Sequence, residues 1–234
     1  MPGASIIVRP GEIVGLLGLV GSGRTEILKT IFGADKLTAG AMIFDNATIA
    51  STTPHESIAR GIAFVPEDRH KEGLVLVRSV RENVALAFLD RFSRFGIVAG
   101  RREKETVTKA VTDLSMRPPA IGLVVSGFSG GNQQKALLAK WLIGNPRLVI
   151  LDEPTRGVDI GAKFTIYEAI VELATQGVAV LLVSSEHEEV LNLAHRAYLV
   201  SAGRTLDEID PATTSIDQLL LRLFAVPEIK EKVR

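Results

Sequence analysis

Four stretches of the chain are apolar almost without interruption: residues 13–17, 62–65, 148–151 and 178–183. A strand with one wet face alternates apolar and polar residues, whereas a strand buried on both faces does not. These four therefore predict a parallel sheet covered on either side, an α/β fold. Helical spacing fills the intervals. Ile27, Leu28, Ile31 and Phe32 mark one helix, Pro54 opens a second that runs to about Arg60, and residues 162–175 form a third. Shorter strands are predicted at 5–8, before the turn Arg9-Pro10-Gly11, and at 41–44, ended by Asp45-Asn46. A hairpin joins 197–200 to 205–206 through Ala202-Gly203. The last helix carries Ile216, Leu219, Leu220, Leu223 and Phe224 on one face. Ser215 and Gln218 form its capping box, Pro227 ends it, and a loose charged tail follows.

From about residue 67 to 145 the pattern is helical instead, with helices predicted near 79–90, 101–115 and 130–143 and a loop at Pro118-Pro119. Residues 60–109 hold eleven Lys or Arg against seven acids, a mild excess that suits a solvated helical face or a docking surface.

Composition narrows the classes. A chain of 234 residues can bury one sizeable core. Its 27 basic and 27 acidic residues cancel, which disfavours a nucleic-acid partner. With no cysteine, disulfides and thiolate metal sites are excluded. The apolar runs are too short to span a bilayer, and Arg9 and Glu12 interrupt what would otherwise be a signal sequence. A cytoplasmic domain is expected, touching a membrane only through a partner.

Three stretches carry candidate chemistry. Gly18-Leu19-Val20-Gly21-Ser22-Gly23-Arg24-Thr25 lies between a predicted strand and a predicted helix, the setting of a phosphate-binding loop. Glycines let backbone N–H groups converge on an anion, and Thr25 stands where a hydroxyl would reach Mg²⁺. The lysine expected in such a loop is Arg24. Asp152-Glu153 ends the strand 148–151, at the edge where open parallel sheets bind ligands. There Asp152 would hold Mg²⁺ through water and Glu153 would orient or deprotonate an attacking water. Ser129-Gly130-Gly131 opens the helix at 130–143. Its serine cap and two glycines make a second anion site, distant in sequence from the first.

Taken together, the glycine loop, Pro66-Glu67, Ser129-Gly130-Gly131 and Leu151-Asp152-Glu153-Pro154-Thr155 resemble ABC-type ATPases, from about Gly11 to Arg204. A sharper likeness is carried by Val65-Pro66-Glu67-Asp68-Arg69-His70-Lys71-Glu72-Gly73-Leu74, Gly130-Gly131-Asn132-Gln133-Gln134-Lys135, Asp152-Glu153-Pro154-Thr155-Arg156-Gly157-Val158-Asp159 and Ser184-Ser185-Glu186. These resemble the second ATPase domain of bacterial monosaccharide importers of the ribose, galactose and xylose type.

The resemblance implies a P-loop NTPase fold: a RecA-like core at about 1–74 and 146–210 with a partial antiparallel β subdomain, a helical subdomain at about 75–145, and a C-terminal helix and tail at 211–234. It implies ATP and Mg²⁺ as cofactors, and two such domains sandwiched head to tail around ATP. Gly18, Val20, Gly21, Ser22, Gly23, Arg24, Thr25 and Glu26 would hold one nucleotide. Ser129, Gly130, Gly131 and Gln133 would cap the nucleotide of the other domain. Thr25, Asp152 and Glu67 would serve the metal, and Glu153, Glu67 and Ser185 the hydrolysis.

Implied partners are a second ATPase domain earlier in a longer chain, a transmembrane sugar permease facing about 66–100 and, indirectly, a sugar-binding protein, with no nucleic acid. The place implied is the cytoplasmic side of the cell membrane.

Three positions depart from the family pattern. Arg24 replaces lysine, Glu67 stands where glutamine is usual, and Ser185 where histidine is usual. His187 follows two residues on, and is expected as a surface residue in the first turn of a helix. Arginine is a planar fork rather than a compact ammonium, so the first change is not conservative. The expectation is a domain whose own loop holds nucleotide weakly, hydrolyses it slowly or not at all, and completes its partner's site. The competing expectation is a non-catalytic module that regulates through nucleotide binding. No aromatic residue precedes Gly18, where the family's base-stacking residue usually lies.

Overall fold

The structure is a computed structural model that describes residues 3–50, 52–94 and 97–225. The predicted stop at Pro227 and the charged tail lie outside the described residues. In chain order, β1 (Ile13–Leu17) leads through the glycine loop into α1 (Arg24–Phe32). A hairpin of β2 (Met42–Phe44) and β3 (Ala47–Ile49) precedes α2 (Pro54–Ala59) and β4 (Ile62–Val65). The helical excursion comprises a π-helical turn (Arg69–Gly73), α3 (Val80–Ala85), α4 (Leu89–Phe92), the small hairpin β5 (Ser93–Arg94) and β6 (Ile97–Val98), α5 (Gly100–Asp113) and α6 (Gly130–Leu142). The core resumes with β7 (Leu148–Asp152), α7 (Ile160–Thr175), β8 (Ala179–Val183) and α8 (His187–Leu193). It closes with β9 (Arg196–Ser201), β10 (Arg204–Ile209) and α9 (Ile216–Ala225).

The main sheet runs β10-β9-β1-β8-β7-β4, with every pairing parallel except that of the edge strand β10 with β9. All residues of β1, β4, β7 and β8 are buried, as unbroken apolar runs require. Local signals start the helices where the sequence places them. Thr53 with Glu56 and Ser79 with Glu82 form capping boxes, and Ser215 and Gln218 exchange bonds of 3.0 and 3.3 Å. The excursion is joined to the core through Trp141 of α6. Its ring lies edge-on to Phe32 of α1 at 5.9 Å and to Phe88 at 6.3 Å. On the opposite face, Leu219 and Leu223 of α9 are buried with Leu17, Val190 and Leu199.

Two expectations need correction. Residues 5–8 form no strand. Their backbone is held by side chains instead: Ser5 N donates to Thr205 Oγ1, Ile7 N to Tyr198 OH, and Arg196 to the Ile7 carbonyl. The helix expected at 79–90 breaks into α3, a 3₁₀ turn at Leu86–Phe88 and α4. Phe88 leaves helical geometry there (φ −134°, ψ 28°), and its ring lies beside Trp141. Asp45-Asn46 ends β2 as expected, in a hairpin turn with both residues at positive φ, and β3 returns beside β2.

Candidate functional site

The glycine loop leaves the buried end of β1. Gly18 is crowded, since a Cβ there would lie 2.6 Å from the Val200 carbonyl, and Gly23 adopts φ 92° with room for no side chain beside Gly203. α1 then begins without a side-chain cap, leaving its first-turn N–H groups uncapped by the protein. Val20 projects from the loop almost fully exposed, and Gly21 and Glu26 are also exposed. Ser22 Oγ is buried without a partner.

Behind the loop stand two carboxylates. Asp152, 1% exposed at the end of β7, has both oxygens buried without a hydrogen bond of regular geometry. Burial pushes its carboxyl up to about 6, and neighbouring Glu153 pushes the same way. The Thr25 hydroxyl, Arg24 and Lys29 oppose them. A buried carboxylate with two empty oxygens beside a threonine hydroxyl suits a divalent cation. No cluster of three His, Cys, Asp or Glu that could hold a metal ion occurs among the described residues. Glu153 sits in the left-handed region (φ 50°), a conformation that costs energy and that its surroundings must impose. Its Oε2 accepts from Ser185 Oγ at 2.9 Å.

Arg24 does not stand free in the loop. It is buried, its Nη1 donates to the Ser184 carbonyl at 3.2 Å, and it shares charge with Glu153 and Asp152. Burial lowers the pKa of its guanidinium and the two carboxylates raise it. Glu67 is likewise engaged, in an ion pair with Arg156 just beyond Thr155.

His187 does open α8, but it is half-buried rather than a surface residue. Its Nε2 is enclosed without a partner, and burial and then Arg24 lower its pKa.

The Ser129 turn is built separately. Ser129 Oγ accepts from Asn132 N at 3.4 Å and from Asn132 Nδ2 at 3.3 Å, and Asn132 in turn brackets the backbone of Arg117. Ser129 itself is exposed. A Cβ on Gly130 would meet Arg69 and the Gly157 carbonyl at 2.9 Å, and one on Gly131 would meet Ala162 at 2.6 Å. The turn is thus held by Asn132 and the backbone of Arg117, and packs against Arg69, Gly157 and Ala162.

Gln133, implied to help cap a nucleotide, has its side chain turned inward. Its amide donates to Phe128 O at 3.0 Å and its oxygen meets His70 Nε2 at 2.8 Å. The structure therefore places Glu153, Ser185, Asp152, Thr25 and Arg24 in one neighbourhood and Ser129, Gly130 and Gly131 in another. Glu67 is tied to Arg156, and Gln133 lies in the interior. Arg156, to which the sequence assigns no role of its own, is the residue that takes Glu67.

A glycine loop, a buried metal-ready carboxylate and a separate Ser-Gly-Gly helix start on one parallel sheet define an ATP-binding cassette. The chain belongs to the ABC transporter family, whose pattern it matches over residues 2–156. It is 45% identical over 218 residues to the ribose import ATP-binding protein RbsA of Chromobacterium violaceum, covering 93% of this chain and 43% of that one. It is 45% identical over 214 residues to a putative ribose/galactose/methyl galactoside import ATP-binding protein of Rhizobium etli, covering 91% and 41%. The chain thus spans less than half the length of these relatives.

In fold it is similar to a solved dimeric ATP-binding cassette in a post-hydrolysis state bound to ADP and Pi (TM-score 0.78, 23% identity, 89% of each chain). A nucleotide-free cassette from an ABC transporter is also similar (TM-score 0.77, 21% identity, 98% of this chain and 90% of that one). No helix among the described residues is long and apolar enough to cross a membrane.

Proposed function

We propose that this chain is the second ATP-binding domain of a monosaccharide importer, acting at the cytoplasmic face of the membrane beside a permease and a first ATPase domain. Support comes from relatives named for ribose and galactose import that are about twice its length. In this reading the domain holds its own nucleotide loosely and uses the Ser129 turn to complete the site of the other domain.

The observation that carries the asymmetry is how the charges are spent. Arg24 leans on the Ser184 carbonyl and two carboxylates, and Glu67 on Arg156, whereas Ser129 is open to solvent. A guanidinium already shared with two acids gives less to a phosphate than a free lysine ammonium would. The backbone N–H groups of residues 21–25 would cradle phosphate, and Thr25 with Asp152 would hold Mg²⁺, which neutralises phosphate charge when bound. Glu153 and Ser185 would orient water, and removing one such positioned group typically costs about 10²–10³ in rate.

In a protein carrying both ATPase domains, Ser129→Arg is expected to abolish most ATP turnover, while Arg24→Lys raises MgATP affinity and turnover at this domain's own loop. Steady-state hydrolysis and calorimetric titration of MgATP check both. Undiminished turnover in Ser129→Arg favours the regulatory module instead. An Arg24→Lys chain with the affinity and turnover of wild type removes the case for a weakened loop.

A further inference from the structure

Outside the residues already assigned, a dense polar cluster surrounds Glu189, in the first turn of α8. Its carboxylate is 6% exposed and accepts bonds from four side chains. Thr155 Oγ1 lies 2.8 and 2.7 Å from its two oxygens, Ser184 Oγ 2.8 Å away, Tyr167 OH 2.5 Å and Lys163 Nζ 3.1 Å. Burial alone would oppose ionisation of this carboxyl, but the bonds outweigh burial and hold its pKa below the usual carboxylate value. A charge so enclosed persists only when paired and hydrogen-bonded, and this one is.

Two of the four donors lie beside the candidate chemistry. Thr155, 2% exposed, is two residues past Glu153. Ser184, 1% exposed, directly precedes Ser185, and its carbonyl takes the Arg24 guanidinium. Since Ser185 Oγ donates to Glu153, the connections close into a ring. It runs Glu153 to Thr155 along the chain, across Glu189 to Ser184, on to Ser185 and back to Glu153.

We propose that Glu189 is a positioning residue that fixes the spacing of the Glu153 and Ser185 loops and anchors Arg24 through Ser184. It touches no substrate, and the left-handed backbone of Glu153 is held in part by this ring. The inference rests on the reading of the glycine loop and Glu153 as a nucleotide site. Tyr167, on α7, donates to the same carboxylate from outside both loops, so it separates support of the fold from placement of the site.

The test compares Glu189→Gln, Thr155→Val, Thr155→Ser and Tyr167→Phe with wild type in the 234-residue chain. It reads thermal midpoint, MgATP dissociation constant and backbone hydrogen exchange without nucleotide. Glu189→Gln and Thr155→Val are expected to weaken MgATP about tenfold, and Thr155→Ser to restore affinity to within about twofold of wild type. Tyr167→Phe should lower the midpoint and leave affinity unchanged. In Glu189→Gln, exchange should accelerate at both 153–156 and 184–186 while the rest of the sheet keeps its protection. Affinity losses that simply follow the midpoints across all four variants overturn the proposal, as does unchanged exchange in either loop. A wild-type chain that does not bind MgATP defeats the nucleotide-site reading instead, and the exchange data then decide the role of Glu189 by themselves.

Discussion

Asp152 is the residue on which the metal reading and the stability of the chain meet. Its carboxyl titrates at about 6 in the fold against 3.8 in an unstructured chain. The folded state therefore binds more protons than the unfolded state between those values, and the contribution of this group to stability falls as pH rises through the window. The loss is on the order of 3 kcal/mol by pH 7. Asp152→Asn removes the buried charge without changing its size. Without nucleotide it is expected to melt at higher temperature than wild type at pH 7–8, the advantage shrinking toward pH 4. It is also expected to lose the gain in ATP affinity that Mg²⁺ confers. Thermal melts across pH and titrations with and without Mg²⁺ check the two halves.

The placement of Asp152 and Glu153 at the end of an apolar strand, and of Thr25 at the end of the glycine loop, was legible because apolar runs and paired glycines mark those elements in the sequence. Gln133 and His187 were not legible. Nothing in a sequence says which way a side chain turns, and His70 and the Phe128 carbonyl draw Gln133 inward.

At the scale of elements, crowding explains the paired glycines better than flexibility does. Neither Gly130 nor Gly131 has a positive φ, yet both meet neighbours where a methyl would stand. Gly131→Ala would drive Cβ into Ala162 of α7 and the Asp159 carboxylate. Such overpacking typically costs about 1–3 kcal/mol, more than the roughly 0.5–1 kcal/mol by which alanine favours a helix. Denaturant melts are expected to show a net loss on the order of 1 kcal/mol.

The unbroken apolar strands and capped helices could be read from the sequence, since burial on both faces and capping leave local signatures. The segment 5–8 could not: its apolar run reads as a strand, but its backbone is engaged by the Thr205, Tyr198 and Arg196 side chains rather than by a strand. The break at Phe88 was hidden for a similar reason: it answers to a ring contributed from α6.

For the molecule as a whole, order along the chain and order across the sheet diverge at one place that matters. β4 and β7 are direct neighbours, Ile62 beside Leu148, and the Gly61 carbonyl takes the amide of Arg147 at 2.7 Å. Everything between them, including the π-helical turn, α3 to α6 and the Ser129 helix start, therefore leaves and re-enters the sheet at a single seam. An insertion mounted that way is a cartridge in a socket. Lengthening or trimming the loops between its helices is expected to leave the register of the strands that carry Asp152 and the glycine loop unshifted, and hydrogen exchange across β1, β7 and β8 checks this.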